Sequence, residues 1–341
     1  MIMKRILITG GAGFIGHHVV DYFIKNTDSE IVILDRLDFS GNLNRLDEIT
    51  QENVKEKKRI TVIYHDLKAE INELTSNFIG NCDTIIHLAA SSHVDRSITH
   101  PLEFIHDNII GTANLLEYAR KKDNLDNFLY FSTDEIFGAA PSGVDYKERD
   151  RYNSTNPYSA SKAGAEELCV AYENTYKIPM IITHTMNVFG ERQTPEKFIP
   201  LCIKKVLQNE KVYIHSDPSK TIAGSRFYIH ASDVAYALLF LLSNKFKTPS
   251  DFGGAKCSKF NIVGKEEIDN LSLAKMIALA QNKSLNYEMI DFHTSRPGHD
   301  LRYSLSGELM KSLGFEPKIS LSNRIKQVSD WYLKNQKWLG V

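Results

Sequence analysis

The sequence predicts an α/β protein built on a doubly wound parallel sheet, with a second, smaller α/β domain interleaved with it. Three observations carry that reading. Short apolar runs rich in Ile and Val alternate with helical stretches through the first half of the 341 residues. The runs are nearly continuous in apolar character, as strands covered on both faces must be. Between the first run and the first helical stretch stands a glycine-rich turn, Thr9-Gly10-Gly11-Ala12-Gly13-Phe14-Ile15-Gly16, where such folds bind a nucleotide diphosphate.

Strands are expected at Arg5–Thr9, 30–34, Ile60–Tyr64, 84–88, 128–132 and 180–183. The clearest helices are expected at 108–121 and 158–176. Strand and helix in alternation give a parallel sheet with helices on both sides, a Rossmann-type arrangement. Past Asn187 the pattern loosens. Pro195, Pro200 and Pro218 interrupt it, and 216–224 is a loop of small and polar residues. An apolar helix at 234–242 can return to the sheet, and another is expected at 271–281. The expected division is an NAD-binding domain from 1–186 and 227–263 and a substrate domain from 187–226 and 264–341. The active cleft then lies between them. The charged run 52–59 reads as solvated surface.

Hydrophobic residues make up 42% and charged ones 24%, the balance of an ordinary globule. A net charge of -1 leaves no basic footprint for nucleic acid. No apolar run reaches the roughly 18 residues a membrane span needs. The opening Met1-Ile2-Met3-Lys4-Arg5-Ile6-Leu7-Ile8 runs straight into the glycine turn and reads as a strand rather than a signal peptide. Cys82, Cys169, Cys202 and Cys257 form no Cys-x-x-Cys pair, and the histidines form no His-Glu-x-x-His pattern. No metal site is expected, and the thiols read as reduced, in a cytoplasmic enzyme.

Gly10, Gly13 and Gly16 permit a tight turn, close approach of a diphosphate and close helix–strand packing. The helix that follows adds free N–H groups and a positive dipole end. Asp35, after the second strand, can accept hydrogen bonds from both ribose hydroxyls and would repel a 2′-phosphate, which favours NAD over NADP. Arg36 beside it pulls the other way. Asp66 and Leu67 follow the third strand and suit the adenine, although without the fold context a helix cap accounts for Asp66 equally well.

The chemistry is written in two motifs. Ser132-Thr133-Asp134-Glu135 closes the apolar run before it, and Tyr158-Ser159-Ala160-Ser161-Lys162 follows about two dozen residues later. Tyr158 and Lys162 are four apart, so they share one face of a helix. A lysine beside a tyrosine favours the phenolate, a base for a hydroxyl proton during hydride transfer. Of two adjacent carboxylates, one can take a proton while the other gives one, as elimination of water requires. Mutual repulsion raises one pKa and supplies the acid. A turn or helix cap is the bland alternative for such an acidic pair, and the upstream nucleotide motif argues against it.

With His87-Leu88-Ala89-Ala90, Ser92-His93-Val94-Asp95-Arg96-Ser97, Pro195-Glu196-Lys197 and Arg296-Pro297-Gly298-His299-Asp300, these motifs resemble the extended short-chain dehydrogenase/reductase superfamily. Within it the chain is similar to the nucleotide-diphosphate-sugar 4,6-dehydratases, most of all to those acting on dTDP-glucose. The resemblance runs over nearly the whole length. It implies NAD held by Gly10, Gly13, Phe14, Ile15, Gly16, Asp35, Arg36, Asp66, Leu67, Leu88, Ala89, Ala90 and Ser92, together with Tyr158 and Lys162. It implies Tyr158 as base on the sugar 4-hydroxyl, Lys162 tuning it, and Thr133 bonded to the 4-oxygen. Glu135 would remove the C5 proton and Asp134 would protonate the departing 6-hydroxyl. Ser92, Asn187, Lys197, Phe198, Arg226, Arg296 and His299 would hold the nucleotide-diphosphate sugar. The net reaction is C4 oxidation, loss of water across C5 and C6, and hydride return to C6, a lyase reaction with no net redox. A homodimer is implied as well, through a four-helix interface that includes 108–121 and 158–176.

Some positions depart from the family pattern. Ser91 stands for a glutamate, Asp107 for a threonine, Val188 and Glu266 for asparagines, and Phe227 for an aspartate. The loop 215–225 is longer than usual. A nucleotide-sugar 4-epimerase is the competing enzyme, with Asp134 and Glu135 only shaping its pocket. A non-catalytic nucleotide sensor is the third reading, disfavoured by the presence of both Tyr158 and Lys162.

Overall fold

The computed structural model describes residues 3–51, 57–244, 246, 257–291 and 301–340. Its strands are β1 (Arg5–Thr9), β2 (Glu30–Asp35), β3 (Ile60–Tyr64), β4 (Thr84–His87), β5 (Asn127–Thr133), β6 (Met180–Thr185), β7 (Asn187–Phe189), β8 (Val212–Ser216), β9 (Ser225–His230), β10 (Ser258–Ile262), β11 (Glu267–Asp269) and β12 (Tyr287–Asp291). Among the described residues, seven of these form one sheet in the order β10-β6-β5-β4-β1-β2-β3. Every pairing in it is parallel.

Inside the edge strand β3, whose Val62 and Tyr64 are exposed, the sheet is buried on both faces, and the side chains alternate between two cores. Ile6 and Ile8 of β1 join one core and Leu7 joins the other, and Ile31, Ile33 and Val32, Leu34 of β2 divide the same way. The helices Phe14–Asn26 and Ala231–Asn244 cover the first face, packing Val19, Val20 and Phe23 with Val234, Leu238 and Leu241. The expected helix at 234–242 therefore does return to the sheet. The helices Gly111–Ala119 and Pro157–Tyr176 cover the other face, through Leu115, Leu116, Ala165 and Cys169.

The helix expected at 108–121 starts earlier. It begins at Pro101–Phe104, passes through a π-helical turn at Ile105–Ile110 and continues as Gly111–Ala119. Pro101 fits the first turn, where no N–H is needed. The π turn carries Asp107 and Asn108, both buried polar residues. The other long helix starts at Pro157 because Asn156 caps it. Asn156 accepts from Ser159 N at 2.9 Å, and Ser159 reciprocates as a capping box.

β10 escaped the strand expectations. Ser258-Lys259-Phe260-Asn261-Ile262 is no apolar run, yet all five residues are buried. Tertiary partners make that possible: Lys259 Nζ donates to Glu166 at 2.8 Å, and Asn261 meets His184 Nδ1 at 2.9 Å.

Outside the large sheet, β11, β9 and β7 form a three-stranded sheet, and β12 pairs in parallel with β8. The helices Phe198–Leu207, Asn270–Ala280 and Leu321–Lys334 pack with these strands around Ile203, Ile277, Val328 and Tyr332. The expected domain boundary at 226/227 falls inside β9. Among the described residues, no helix is long and apolar enough to cross a membrane.

Candidate active site

A cleft of about 900 Å³ runs along the carboxyl ends of β1, β2, β4 and β5. It lies where the strand order reverses between β1 and β4, the usual ligand position in such sheets. Gly10 has φ +71°, and a Cβ on it would lie 2.8 Å from the Ala89 backbone. A Cβ on Gly16 would sit 2.1 Å from the Gly10 carbonyl oxygen. Only glycine lets the turn, the helix and β4 approach this closely. Gly13 is the N-cap of the first helix and has no side-chain cap, so the leading N–H groups stay available to an anion.

Asp35 accepts from Ala12 N at 3.0 Å and from Leu37 N at 2.9 Å, which aims it at the turn and leaves lone pairs for ribose hydroxyls. Phe14, Ile15, Arg36, Asp66, Leu67, Leu88, Ala89, Ala90 and Ser92 border the same cleft. Asp66 also stabilises its own turn, accepting from Lys68 N at 3.0 Å. The uncapped helix and the glycine cradle fit a dinucleotide.

The catalytic candidates stand on the adjoining wall. Thr133 ends β5, and Asp134 and Glu135 open the single 3₁₀ turn Asp134–Phe137. The Thr133 hydroxyl caps that turn and donates to Asp134 Oδ1 at 3.0 Å. Asn156 Nδ2 donates to Glu135 Oε2 at 3.3 Å. Asp134 Oδ2 is buried with no hydrogen-bond partner. Burial pushes the Asp134 acid up to about 6. Burial, and then the Asp134 charge, push Glu135 up to about 7. As neighbours the two titrate as a coupled pair, both held toward the protonated form.

Tyr158 and Lys162 face the same cleft from the helix Pro157–Tyr176. Their electrostatics oppose the expected phenolate. Burial, with Glu135 next, raises the Tyr158 phenol, opposed by a hydrogen bond with Thr133. Burial lowers the Lys162 ammonium to about 8. Its Nζ donates to the Phe131 carbonyl at 2.7 Å and lies 4.3 Å from the Tyr130 ring centroid. A low-dielectric wall with two facing acids outweighs a lysine turned toward a backbone carbonyl.

On the substrate side, Ser92, Asn187 and Lys197 line the cleft. Phe198 does not. It opens the helix Phe198–Leu207 and packs on the separate core around Ile203, Ile277 and Tyr332. Arg226 is also absent from the lining. Its Nη1 donates to the carbonyls of Ser225 and Leu301 at 2.7 and 2.6 Å, and the guanidinium lies 4.7 Å from the Tyr303 ring centroid. From there its charge pulls both acids downward. Arg296 and His299 lie outside the described residues. Glu266 is exposed and off the cleft, and Val188 borders it.

Sequence reasoning missed Asn156, although Asn before Pro at a helix start is a legible cap signal. His87 is structural: its ring nitrogens meet Thr9 Oγ1 at 2.7 Å and Thr112 Oγ1 at 2.9 Å, and burial lowers it to about 3. Among the described residues no cluster of metal-ligating side chains occurs.

The family model described as GDP-mannose 4,6 dehydratase matches residues 7–328. The chain is similar to dTDP-glucose 4,6-dehydratase of Salmonella typhimurium, 35% identical, with 98% of this chain and 94% of that protein covered. Among solved structures it resembles the dTDP-glucose 4,6-dehydratase DesIV of Streptomyces venezuelae with NAD and TYD bound. The TM-score is 0.84 at 30% identity, covering 98% of each chain. It also resembles the UDP-glucose 4-epimerase of Thermus thermophilus in complex with NAD, with a TM-score of 0.82, 26% identity and 97% and 99% covered.

Proposed function

The chain belongs to the GDP-mannose 4,6 dehydratase family, and from that premise we propose that it is an NAD-dependent nucleotide-diphosphate-sugar 4,6-dehydratase whose substrate is dTDP-glucose. The observation that carries the proposal is one cleft bordered by the glycine turn, Thr133, Asp134, Glu135, Tyr158 and Lys162. An epimerase needs the tyrosine and the cofactor. It has no use for an acid and a base held side by side next to them.

Bound NAD would supply the outer steps, taking hydride from C4 and returning it to C6. The residues of the chain supply the rest. Tyr158 accepts the 4-hydroxyl proton as its phenolate, the form that burial disfavours and that must be populated for the step, while Thr133, bonded to the phenol, steers the 4-oxygen toward it. Oxidation at C4 acidifies the C5 proton. Glu135 removes it as base, and Asp134 gives a proton to the 6-hydroxyl so that it leaves as water. For this elimination the proton must sit on Asp134 and Glu135 must be ionised, and because neighbouring carboxyls titrate as a coupled pair, one proton can serve both. Lys162, a cation on the same helix, favours the phenolate that takes this proton, and Asn187 and Lys197 hold the diphosphate end.

Incubation with dTDP-, UDP-, GDP- and CDP-glucose, read by mass spectrometry, tests the proposal. The expected product is one water lighter, ketonic and ultraviolet-absorbing in alkali, formed fastest from the dTDP sugar. A product of unchanged mass with inverted C4 would replace this reading by the epimerase.

We also propose a homodimer with a four-helix interface. It is supported by exposed apolar side chains on the helices around the π turn: Ile98, Leu102, Ile105 and Ile110. Four buried, unpaired thiols support a cytoplasmic setting.

A further inference from the structure

Arg36 directly follows Asp35 at the carboxyl end of β2, beside the position the adenosine ribose takes in this fold. An arginine there ordinarily accommodates the 2′-phosphate of NADP. Here three of its five N–H donors are already engaged. Nη1 and Nη2 donate to the two oxygens of Asp107 at 2.7 and 2.9 Å, and Nε donates to Asp38 at 2.7 Å. Asp66 Oδ2 lies 3.9 Å from Nη1.

Asp107 is fixed in turn. It projects from the π-helical turn, accepts from the Ser91 hydroxyl at 2.5 Å, and lies 3.7 Å from Lys68. Two departures from the family pattern, Ser91 and Asp107, thus belong to one network with Arg36. On this rim Asp35, Asp38, Asp66 and Asp107 face two cations, Arg36 and Lys68. A 2′-phosphate would add further negative charge to a surplus of carboxylates.

We propose that Asp107 adds to the cofactor selectivity of Asp35: by engaging Arg36 bidentately it withholds that edge of the guanidinium from a 2′-phosphate. The proposal rests on the reading of the cleft as a dinucleotide site, and the two can fail separately. If that reading is wrong, the wild-type protein binds neither nucleotide. If only the selectivity proposal is wrong, NAD binds and the preference does not respond to position 107.

The test is calorimetric titration of nucleotide-stripped protein with NAD and with NADP in phosphate-free buffer. Wild type, Asp107→Ala, Asp107→Asn and the double variant Arg36→Ala/Asp107→Ala are compared. The expected result is that Asp107→Ala narrows the preference for NAD by at least about tenfold, the scale of one charge-assisted hydrogen bond to phosphate. The gain is expected in NADP affinity and is lost again in the double variant. Asp107→Asn keeps the shape while removing the charge. It is expected to shift in the same direction, and it decides the matter if the alanine variant does not fold. An unchanged preference in whichever of the two variants folds, or a gain that survives removal of Arg36, overturns the proposal.

Discussion

Asn156 holds Glu135 with one end of its side-chain amide and caps the helix of Tyr158 with the other. Nδ2 donates to Glu135 Oε2 at 3.3 Å, and Oδ1 accepts from Ser159 N at 2.9 Å. One residue therefore fixes the acid wall of the cleft relative to the helix that carries the tyrosine and the lysine.

Serine caps a helix nearly as well as asparagine but cannot reach across as an amide donor. Asn156→Ser should keep its melting temperature near that of the wild type. The Asn156 hydrogen bond lowers the Glu135 pKa, so its loss raises that pKa and moves the rising limb of kcat against pH to higher values. At neutral pH the rate should fall roughly fivefold, the scale of one hydrogen bond. An unmoved pH limb would remove Asn156 from the set of positioning residues.

Glu135→Gln should separate the two halves of the reaction. Removal of a general base costs roughly 10²–10⁴-fold, so dehydration nearly stops while slow oxidation at C4 persists. The readout is solvent deuterium at C5 of recovered sugar. Incorporation that continues at the wild-type rate would take the base role away from Glu135.

The raised acids also make a stability prediction. A carboxyl whose folded pKa lies above its unfolded value near ~4 binds its proton more tightly when folded. Its ionisation then opposes folding. That penalty is absent below about pH 4 and is complete above the folded values of about 6 for Asp134 and about 7 for Glu135. Asp134→Asn and Glu135→Gln should therefore raise the melting temperature at pH 8, by at least about 2 °C, and leave it nearly unchanged at pH 4. Equal shifts at both pH values would show that packing, not ionisation, is responsible.

The proposed dimer is open to one surface change. Ile110 is 43% exposed, so Ile110→Lys should cost little in the monomer and should disfavour an apolar contact strongly. Light scattering after gel filtration should report a dimer for the wild type and a shift toward monomer for the variant. A monomeric wild type would end the proposal.

The parallel sheet was legible wherever a strand is apolar on both faces, as in Arg5–Thr9 and Ile60–Tyr64. It was not legible at Ser258–Ile262, where Lys259 and Asn261 are buried because Glu166 and His184, distant in sequence, satisfy them. In the site, the glycine turn, Asp35, Thr133, Asp134, Glu135, Tyr158 and Lys162 could be named from spacing because each occupies a fixed offset from a strand end or a helix start. Phe198 could not be judged that way. One step along a helix decides whether a side chain meets the cleft or the core.

The sequence by itself determined the element types, the strand that ends in an acid pair, and the residues able to carry a proton or a phosphate. These follow from local pattern, since side-chain periodicity and glycine geometry act over a few residues. Only the tertiary structure decided the charge state of those groups and the partners of Arg36. Lys162 faces a backbone carbonyl, burial raises both acids of the pair, and Arg36 is engaged by Asp107. Burial and long-range electrostatics depend on atoms brought together from distant parts of the chain, and no local window of sequence contains them.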